Sequence, residues 1–171
     1  MKIGVMCSGN GSNFENIIER CPHHQVVLMV YNRKDCGAKK RADRLGISSC
    51  YSKKEDEIIA LMHAYQVDMI VMAGWMRVVS REFCDEFSGR ILNLHPSLLP
   101  KYKGLHAVEQ ALKSGDDTTG CTVHFVTEEL DSGAIIKQSE VAILPDDTVK
   151  SLTRAVQQCE HQLLPQVLNA F

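Results

Sequence analysis

The stretch RILNLHPSLLP, residues 90–100, indicates how this protein folds and where its functional groups lie. It begins as a buried strand and stops at a proline, which cannot donate a hydrogen bond to a neighbouring strand. Because side chains alternate along a strand, Asn93 and His95 should point to one face while Leu92 and Leu94 point to the other. Open α/β sheets bind their ligands at the carboxyl ends of strands. The stretch therefore predicts a polar site at the end of a strand.

The rest of the chain alternates apolar runs with segments of helical periodicity. Strands are expected at 2–7, 25–31, 47–51, 67–74, 90–95, 119–127 and 134–144, and helices at 13–20, 36–46, 54–66, 80–87, about 106–114 and from an acidic cap near Asp147 onward. Most of the strands are apolar throughout, which is typical of a parallel sheet covered by helices on both faces. The short loop before the last strand predicts a hairpin, and hence an antiparallel edge. We predict a single α/β domain over residues 1–171, with a Rossmann-like, mostly parallel sheet.

The composition argues against several classes of protein. A formal net charge of −2 with 23 % charged residues does not favour a nucleic-acid binder. No apolar run approaches the roughly 18 residues of a membrane span, and the amino terminus does not read as a signal peptide. The seven cysteines include no C-x-x-C pair, and no histidines have metal-ligand spacing. We therefore expect a reduced, cytoplasmic protein without a metal, a membrane anchor or a nucleic-acid partner.

The turn SGNGSN, residues 8–13, joins the first strand to the first helix. Two glycines let the backbone fold tightly and expose N–H groups, and the helix that follows presents its positive end. Ser12 and Asn13 add side-chain donors, so the turn suits a phosphate group. It lacks the spacing of a dinucleotide-binding turn or of a P-loop. The alternative is that the glycines only form the corner.

Asn93 and His95 together form a donor pair that can stabilise a developing oxyanion. A histidine at a strand end is more often structural when it stands alone, and the neighbouring amide favours the catalytic interpretation. His95 needs a nearby carboxylate to act in its protonated form. Asp131, in the loop EELDSG, is the candidate because it lies at a tight turn with a fixed direction. His124 alternates with Val123 along its strand, so its side chain either faces the same cleft as Asn93 or packs elsewhere. The sequence leaves both possibilities open.

The run NLHPSLLPKYKGLH, with SGNGSN before it and VHFVTEELDSG after it, closely resembles the glycinamide ribonucleotide formyltransferases, folate-dependent enzymes of purine biosynthesis. The similarity extends from Met1 to about Pro165. HPSLLP alone marks the wider superfamily, which also includes formyltransferases for methionyl-tRNA and sugars and a formyltetrahydrofolate hydrolase. MAGWMR, KYKGLH and QQCEH point to the ribonucleotide branch.

The resemblance implies the formyltransferase fold and direct transfer of a formyl group from 10-formyltetrahydrofolate to the amine of glycinamide ribonucleotide, without a metal. It implies three catalytic residues: Asn93 and protonated His95 meet the oxyanion, and Asp131 keeps His95 charged and helps to move the proton. The residues implied to bind the ribonucleotide are Gly11, Ser12, Asn13, Gln157, Gln158, Cys159 and Glu160. The residues implied to bind the folate are Met76, Arg77, Val78, Val79, Asn93, Thr127, Glu128, Glu129, Leu130 and Asp131.

Several departures from the family pattern bear on neighbouring functions. Members usually continue beyond the point where this chain ends, so the sheet edge and a homodimer are left open. Trp75 stands where Phe or Tyr is common, and Cys159 replaces a polar residue. Hydrolases usually carry an additional amino-terminal domain and tRNA formyltransferases a carboxyl-terminal one, and the sugar enzymes are longer. A non-catalytic binding module is the alternative from another class, but it has no need of an oxyanion site.

Overall fold

The computed structural model describes all residues from Met1 to Phe171 and contains every strand and helix predicted above. The strands are β1 (Lys2–Cys7), β2 (Gln25–Tyr31), β3 (Ser49–Tyr51), β4 (Met69–Met72), β5 (Ile91–His95), β6 (Thr118–Phe125) and β7 (Ile135–Ala142). The helices are α1 (Ser12–Arg20), α2 (Gly37–Leu45), α3 (Glu55–Ala64), α4 (Arg81–Glu86), α5 (Ala107–Ser114) and α6 (Val149–Leu168). No helix has both the length and the hydropathy needed to cross a bilayer.

The strands form a seven-stranded sheet in the order β3-β2-β1-β4-β5-β6-β7. β1 pairs in parallel with β2 and β4, and β2 pairs in parallel with β3. β6 and β7 pair antiparallel, and β7 is the last strand of the order. The Rossmann-like, mostly parallel sheet with an antiparallel edge is therefore confirmed. The chain divides into two compact units, residues 1–92 and 93–171, which are described in turn.

The first unit places the turn SGNGSN at the carboxyl end of β1. The middle of that strand is apolar and inaccessible to water, with Val5 and Met6 both 0 % exposed. β4 is shorter than predicted at its amino end because the backbone N–H of Val67 is bonded to the carbonyl of Met62, which continues the end of α3. α2 has Gly46 as its C-cap in the left-handed conformation, which agrees with the predicted end of this helix at residue 46.

The second unit contains the β6–β7 hairpin and the long helix α6. The predicted acidic cap near Asp147 is wrong, because the N-cap residue is Thr148. The hydroxyl of Thr148 accepts the backbone N–H of Ser151, 3.1 Å away, and the Ser151 hydroxyl accepts the N–H of Thr148 in return. Asp147 binds the Ser151 hydroxyl and the N–H of Leu144 instead, and these bonds lower the pKa of its carboxyl. A reciprocal cap of this kind satisfies two donors that the helix leaves unpaired.

Candidate active site

Asn93 and His95, at the end of β5, both reach the carboxylate of Asp131. The distance is 3.4 Å from Asn93 Nδ2 to Asp131 Oδ1 and 3.4 Å from His95 Nδ1 to Asp131 Oδ2. The side chains of His95 and Asp131 are each only 6 % exposed. Two side chains two residues apart on one strand therefore meet one group, as the alternation of side chains predicts.

The position of Asp131 is determined by the backbone of its own loop and of a second loop. The N–H of Gly104 donates to Asp131 Oδ2 at 2.8 Å, and Asp131 itself has a positive φ of 49°. Gly133 lies so close to the carbonyl oxygen of Phe125 that a β-carbon at this position would collide with it. The N–H of Phe125 in turn donates to the carbonyl of Ala134 at 3.0 Å. The loop is therefore held against the end of β6, which directs the carboxylate.

The two ring nitrogens of His95 have different environments. Nε2 lies 2.8 Å from the carbonyl oxygen of Tyr102, and because a carbonyl only accepts, Nε2 carries a hydrogen. Nδ1 is thus the nitrogen that faces Asp131, whose other carboxylate oxygen lies 3.4 Å from the Asn93 amide nitrogen. When the ring is doubly protonated, it can donate at both nitrogens, to a carbonyl on one side and towards a carboxylate on the other. The ring is therefore held in one orientation, with Nε2 bonded to the Tyr102 carbonyl and Nδ1 directed towards the Asp131 carboxylate.

His124, on β6, belongs to the same group of side chains, which resolves the alternative that the sequence left open. Its Nδ1 lies 2.8 Å from the Phe125 carbonyl oxygen, so this nitrogen carries the hydrogen. Nε2 is then an acceptor for Asn93 Nδ2, 3.2 Å away, and lies 3.7 Å from Asp131 Oδ1. Burial is the largest influence on the ring and lowers the pKa of His124, which keeps it neutral. A neutral His124 thereby orients the amide of Asn93.

We expect the lowered pKa of His124 to reduce the stability of the protein in acid. The unfolded chain binds a proton near pH 6.5 and the folded chain only at lower pH, so the free energy of unfolding falls as the pH drops below 6.5. In His124→Gln this contribution is absent. Urea denaturation of both proteins at pH 7.5, 6.5 and 5.5 should show a wild-type advantage that shrinks with acidification; a constant difference would contradict the prediction.

The loop between β5 and α5 is attached to the hairpin through Thr122, which is 0 % exposed. The Thr122 hydroxyl donates to the carbonyl of Ser97 at 2.7 Å and accepts the N–H of Leu99 at 3.2 Å. Gln138 Nε2 lies 2.9 Å from the same hydroxyl and 2.8 Å from the carbonyl of Leu99. One hydroxyl thus holds the loop that supplies the Tyr102 carbonyl and the Gly104 N–H.

Replacing Thr122 with valine should lower the free energy of unfolding by about 1–3 kcal/mol, because it leaves buried polar groups of the loop without a partner. Thr119→Val is a matched control on the same strand: Thr119 is equally buried, and its hydroxyl oxygen has no hydrogen-bond partner. We expect this control to be neutral or stabilising. Denaturant unfolding of the two variants measures the difference, and equal losses would refute the assigned role of Thr122.

The residues implied to bind the ribonucleotide lie in both units. In the first, Gly11 is the N-cap residue of α1, with a φ of 77°, and Ser12 and Asn13 begin the helix. In the second, Gln157 and Gln158 are exposed on α6, whereas Glu160 is 8 % exposed. The Cys159 thiol lies 3.4 Å from the Cys121 thiol of β6, so its side chain packs on the hairpin.

The residues implied to bind the folate lie in two loops, one in each unit. In the first unit, Met76 and Val78 are 52 % and 66 % exposed, Val79 is buried, and the Arg77 guanidinium donates to the carbonyl of Lys53 at 2.6 Å. In the second unit, the segment 127–130 is mainly exposed, and Leu130 has 47 % of its surface accessible.

Sequence reasoning missed three groups that shape the site: the Tyr102 carbonyl, the Gly104 N–H and the Thr122 hydroxyl. The first two are backbone groups, which nearly all residues have, so the residue type at these positions gives no indication of their role. The third is the side chain of a threonine on an apolar strand, and the sequence does not show whether the hydroxyl of such a threonine forms hydrogen bonds. No group of three or more His, Cys, Asp or Glu side chains is arranged to hold a metal ion.

Comparison with known proteins places this geometry in a family. The family model described as formyl transferase matches residues 1–168. Phosphoribosylglycinamide formyltransferase of Escherichia coli is 41 % identical over 184 residues, covering 100 % of this chain and 87 % of that protein. The trifunctional purine biosynthetic protein adenosine-3 of Drosophila melanogaster is 42 % identical over 182 residues, covering 98 % of this chain, which spans only 14 % of that protein. The crystal structure of glycinamide ribonucleotide transformylase 1 from Symbiobacterium toebii has a TM-score of 0.95 and 36 % identity, covering 99 % of this chain and 86 % of that one.

Proposed function

We propose that this chain, which belongs to the formyl transferase family, transfers the formyl group of 10-formyltetrahydrofolate to the amine of glycinamide ribonucleotide. The observation that carries the proposal is the contact of one buried carboxylate, that of Asp131, with both the Asn93 amide and the His95 ring. A protein that only binds its ligands has no use for such a group. The names and high identity of the relatives support the choice of substrates.

In the proposed reaction, the amine nitrogen attacks the formyl carbon and a C–N bond forms. Negative charge develops on the formyl oxygen, and the Asn93 amide and the His95 Nδ1–H stabilise it. The C–N bond to the folate then breaks, and the proton lost by the amine reaches the departing nitrogen with the help of Asp131. Hydrogen-bond donors that are already oriented towards the oxyanion stabilise it without reorganisation. Removal of one such donor commonly lowers kcat by about 10² to 10³-fold. Holding both substrates in place supplies further acceleration.

The proposal assigns the other predicted residues to binding. Gly11, Ser12 and Asn13 hold the phosphate through backbone N–H groups at the start of α1, where the helix dipole favours an anion. The segment 157–160 of α6 contributes to the ribonucleotide site, and the segments 76–79 and 127–131 to the folate site. The proposal extends to a single catalytic domain over residues 1–171, cytoplasmic, active without a metal or a nucleic-acid partner. A homodimer is compatible with it, and sedimentation measures the oligomeric state.

The test is the consumption of 10-formyltetrahydrofolate, followed by absorbance, with and without glycinamide ribonucleotide, together with mass spectrometry of the product. We expect consumption only when the ribonucleotide is present, with one formyl group gained by the acceptor. Equal consumption without the ribonucleotide would mean that the protein is a hydrolase. Binding of both compounds without turnover would favour the binding module.

A further inference from the structure

The turn that joins β1 to α1, residues 8–13, is held by backbone bonds from outside itself. The N–H of Ser8 donates to the carbonyl of Gly74 at 2.9 Å, and the N–H of Met76 donates to the Ser8 hydroxyl at 2.8 Å. The N–H of Ala38, in the first turn of α2, donates to the carbonyl of Gly9 at 3.1 Å. The shape of the turn therefore depends on neighbouring elements and is not set by its glycines alone.

The middle of the turn packs directly on α2. A β-carbon built on Gly11 would lie 2.7 Å from Ala38 Cα, closer than real side chains approach, so only glycine fits between the turn and the helix. Gly11 also has a φ of 77°, a conformation that other residues rarely adopt. A shift of α2 would therefore displace the N–H groups proposed to receive the phosphate.

One side chain of α2, Arg41, connects the turn with helix α1. Its Nε donates to the carbonyl of Asn10 at 2.9 Å, and its guanidinium also pairs with the carboxylate of Glu15 in the first turn of α1. The planar guanidinium of Arg41 can bind both partners at once, because its N–H groups point in different directions from one rigid plane. The side chain is 28 % exposed, so the contact is partly shielded from water.

Glu15 adds an electrostatic reason for the same contact. A carboxylate in the first turn of a helix stabilises that helix but repels a second anion at the helix end. Arg44 and Arg41 both pair with Glu15, and these hydrogen bonds, with Arg44 the stronger influence, lower the pKa of the carboxyl and keep it ionised. The cluster of one carboxylate and two guanidinium groups leaves an excess positive charge beside the turn.

We infer that Arg41 is a positioning residue for the phosphate of the acceptor substrate: it fixes the Asn10 carbonyl, and so the N–H groups of Gly11 to Asn13, and it neutralises Glu15. Arg41 thereby sets the preference for a phosphorylated over an unphosphorylated acceptor. The inference rests on the proposed function, because it presumes that the turn binds the phosphate of the ribonucleotide. It does not involve the groups around Asp131.

The test compares Arg41→Met with Arg44→Met. Both variants lose one positive charge and one partner of Glu15, but only Arg41→Met loses the bond to Asn10. For Arg41→Met we expect the KM for glycinamide ribonucleotide to rise about tenfold, the effect of one hydrogen bond to a charged group. The kcat and the KM for the folate should change by less than about twofold, since positioning of the phosphate is remote from the chemical step. Arg44→Met should shift the ribonucleotide KM by only a small factor.

Two further measurements separate positioning from a general loss of stability. With the unphosphorylated glycinamide riboside, Arg41→Met and the wild type should have equal kcat/KM, because no phosphate is present to be positioned. Calorimetric titration with ribose 5-phosphate should show about tenfold weaker binding to Arg41→Met than to Arg44→Met. Equal losses in the two variants, or an equal loss with the riboside, would overturn the inference.

The same measurements distinguish failure of the inference from failure of the proposed function. If the wild type transfers formyl groups and the two variants behave alike, the function stands and the role of Arg41 is wrong. If the wild type transfers nothing but binds ribose 5-phosphate, and only Arg41→Met weakens that binding, the role of Arg41 stands without the proposed reaction. If the wild type binds no ribose 5-phosphate, the phosphate site itself is refuted.

Discussion

Replacing Asp131 with asparagine should lower kcat on the order of 10³-fold, within the range for loss of a proton-transfer group and of electrostatic stabilisation. The carboxylate faces His95 Nδ1 and Asn93 Nδ2, each at 3.4 Å, and asparagine keeps its size but removes its charge. An amide oxygen can still accept the N–H of Gly104, so the loop should keep its position. The prediction is checked by initial rates at saturating concentrations of both substrates, with KM values determined separately.

Asp146→Asn is the matched control for this charge change. Asp146 belongs to the same unit, and its side chain is exposed on the surface before α6. We expect its kcat to equal that of the wild type within experimental error. A less than tenfold decrease in kcat for Asp131→Asn would show that the carboxylate is structural, and a decrease caused only by weaker folate binding would move its role from the reaction to the binding step.

Replacing His95 with asparagine should lower kcat by about 10² to 10³-fold, the usual effect of removing one donor to an oxyanion. The His95 ring is bonded through Nε2 to the Tyr102 carbonyl, so Nδ1 is the donor that faces the other members of the site. Asparagine supplies only a neutral amide, at a different distance from the backbone than the ring nitrogen, and it cannot carry the positive charge that the proposed mechanism assigns to His95. Single-turnover transfer with the ribonucleotide and the formyl folate measures this step directly.

His106→Asn is the matched control, because asparagine tolerates the positive φ of 59° that His106 adopts. The side chain of His106 is 71 % exposed and pairs with Glu109 at the start of α5. Transfer by this variant should equal that of the wild type. If His95→Asn retains more than a tenth of the wild-type rate, the ring is a structural support for the Tyr102 loop, and a parallel loss of thermal stability would identify it as such.

Asp131 is expected to contribute more to the rate than His95 because it contacts more of the site's side chains. The carboxylate of Asp131 lies within 3.7 Å of polar nitrogen atoms of three side chains, those of Asn93, His95 and His124. His95 faces one carboxylate and one carbonyl. Because residues that act as a unit are not additive, the variant lacking both groups should be little slower than Asp131→Asn alone.

Much of the fold can be predicted from local patterns of the sequence. The apolar run MIVM of β4 and the alternation of LNLH in β5 depend on burial over a few residues, and these strands formed where the pattern predicts. The ends of elements were harder to predict because they depend on single hydrogen bonds. Thr148 replaced Asp147 as the cap of α6 because the Ser151 hydroxyl completes a reciprocal pair with it, and either residue type is a good cap in isolation.

The candidate site could be found in the sequence because an unusual pair of residue types, Asn93 and His95, lies on one face of a strand end. The need for a carboxylate then led to Asp131, and contacts among the three side chains confirm that they meet. Their roles in the reaction stay predictions. His124 was ambiguous because alternation gives the face of a side chain but not the neighbour across the sheet.

The sequence by itself determined the type and order of the elements and the side chains able to do chemistry, since both follow from residue identity and from spacing over a few positions. Only the tertiary structure decided which backbone groups orient those side chains. The bond from the Gly104 N–H to Asp131 joins residues 27 positions apart, and the Tyr102 carbonyl reaches His95 across seven positions through the loop after β5. The Arg41 contact with Asn10 joins residues 31 positions apart. Every residue but proline offers the same N–H and C=O, so which of them serves the site is decided by the approach of one loop or helix to another.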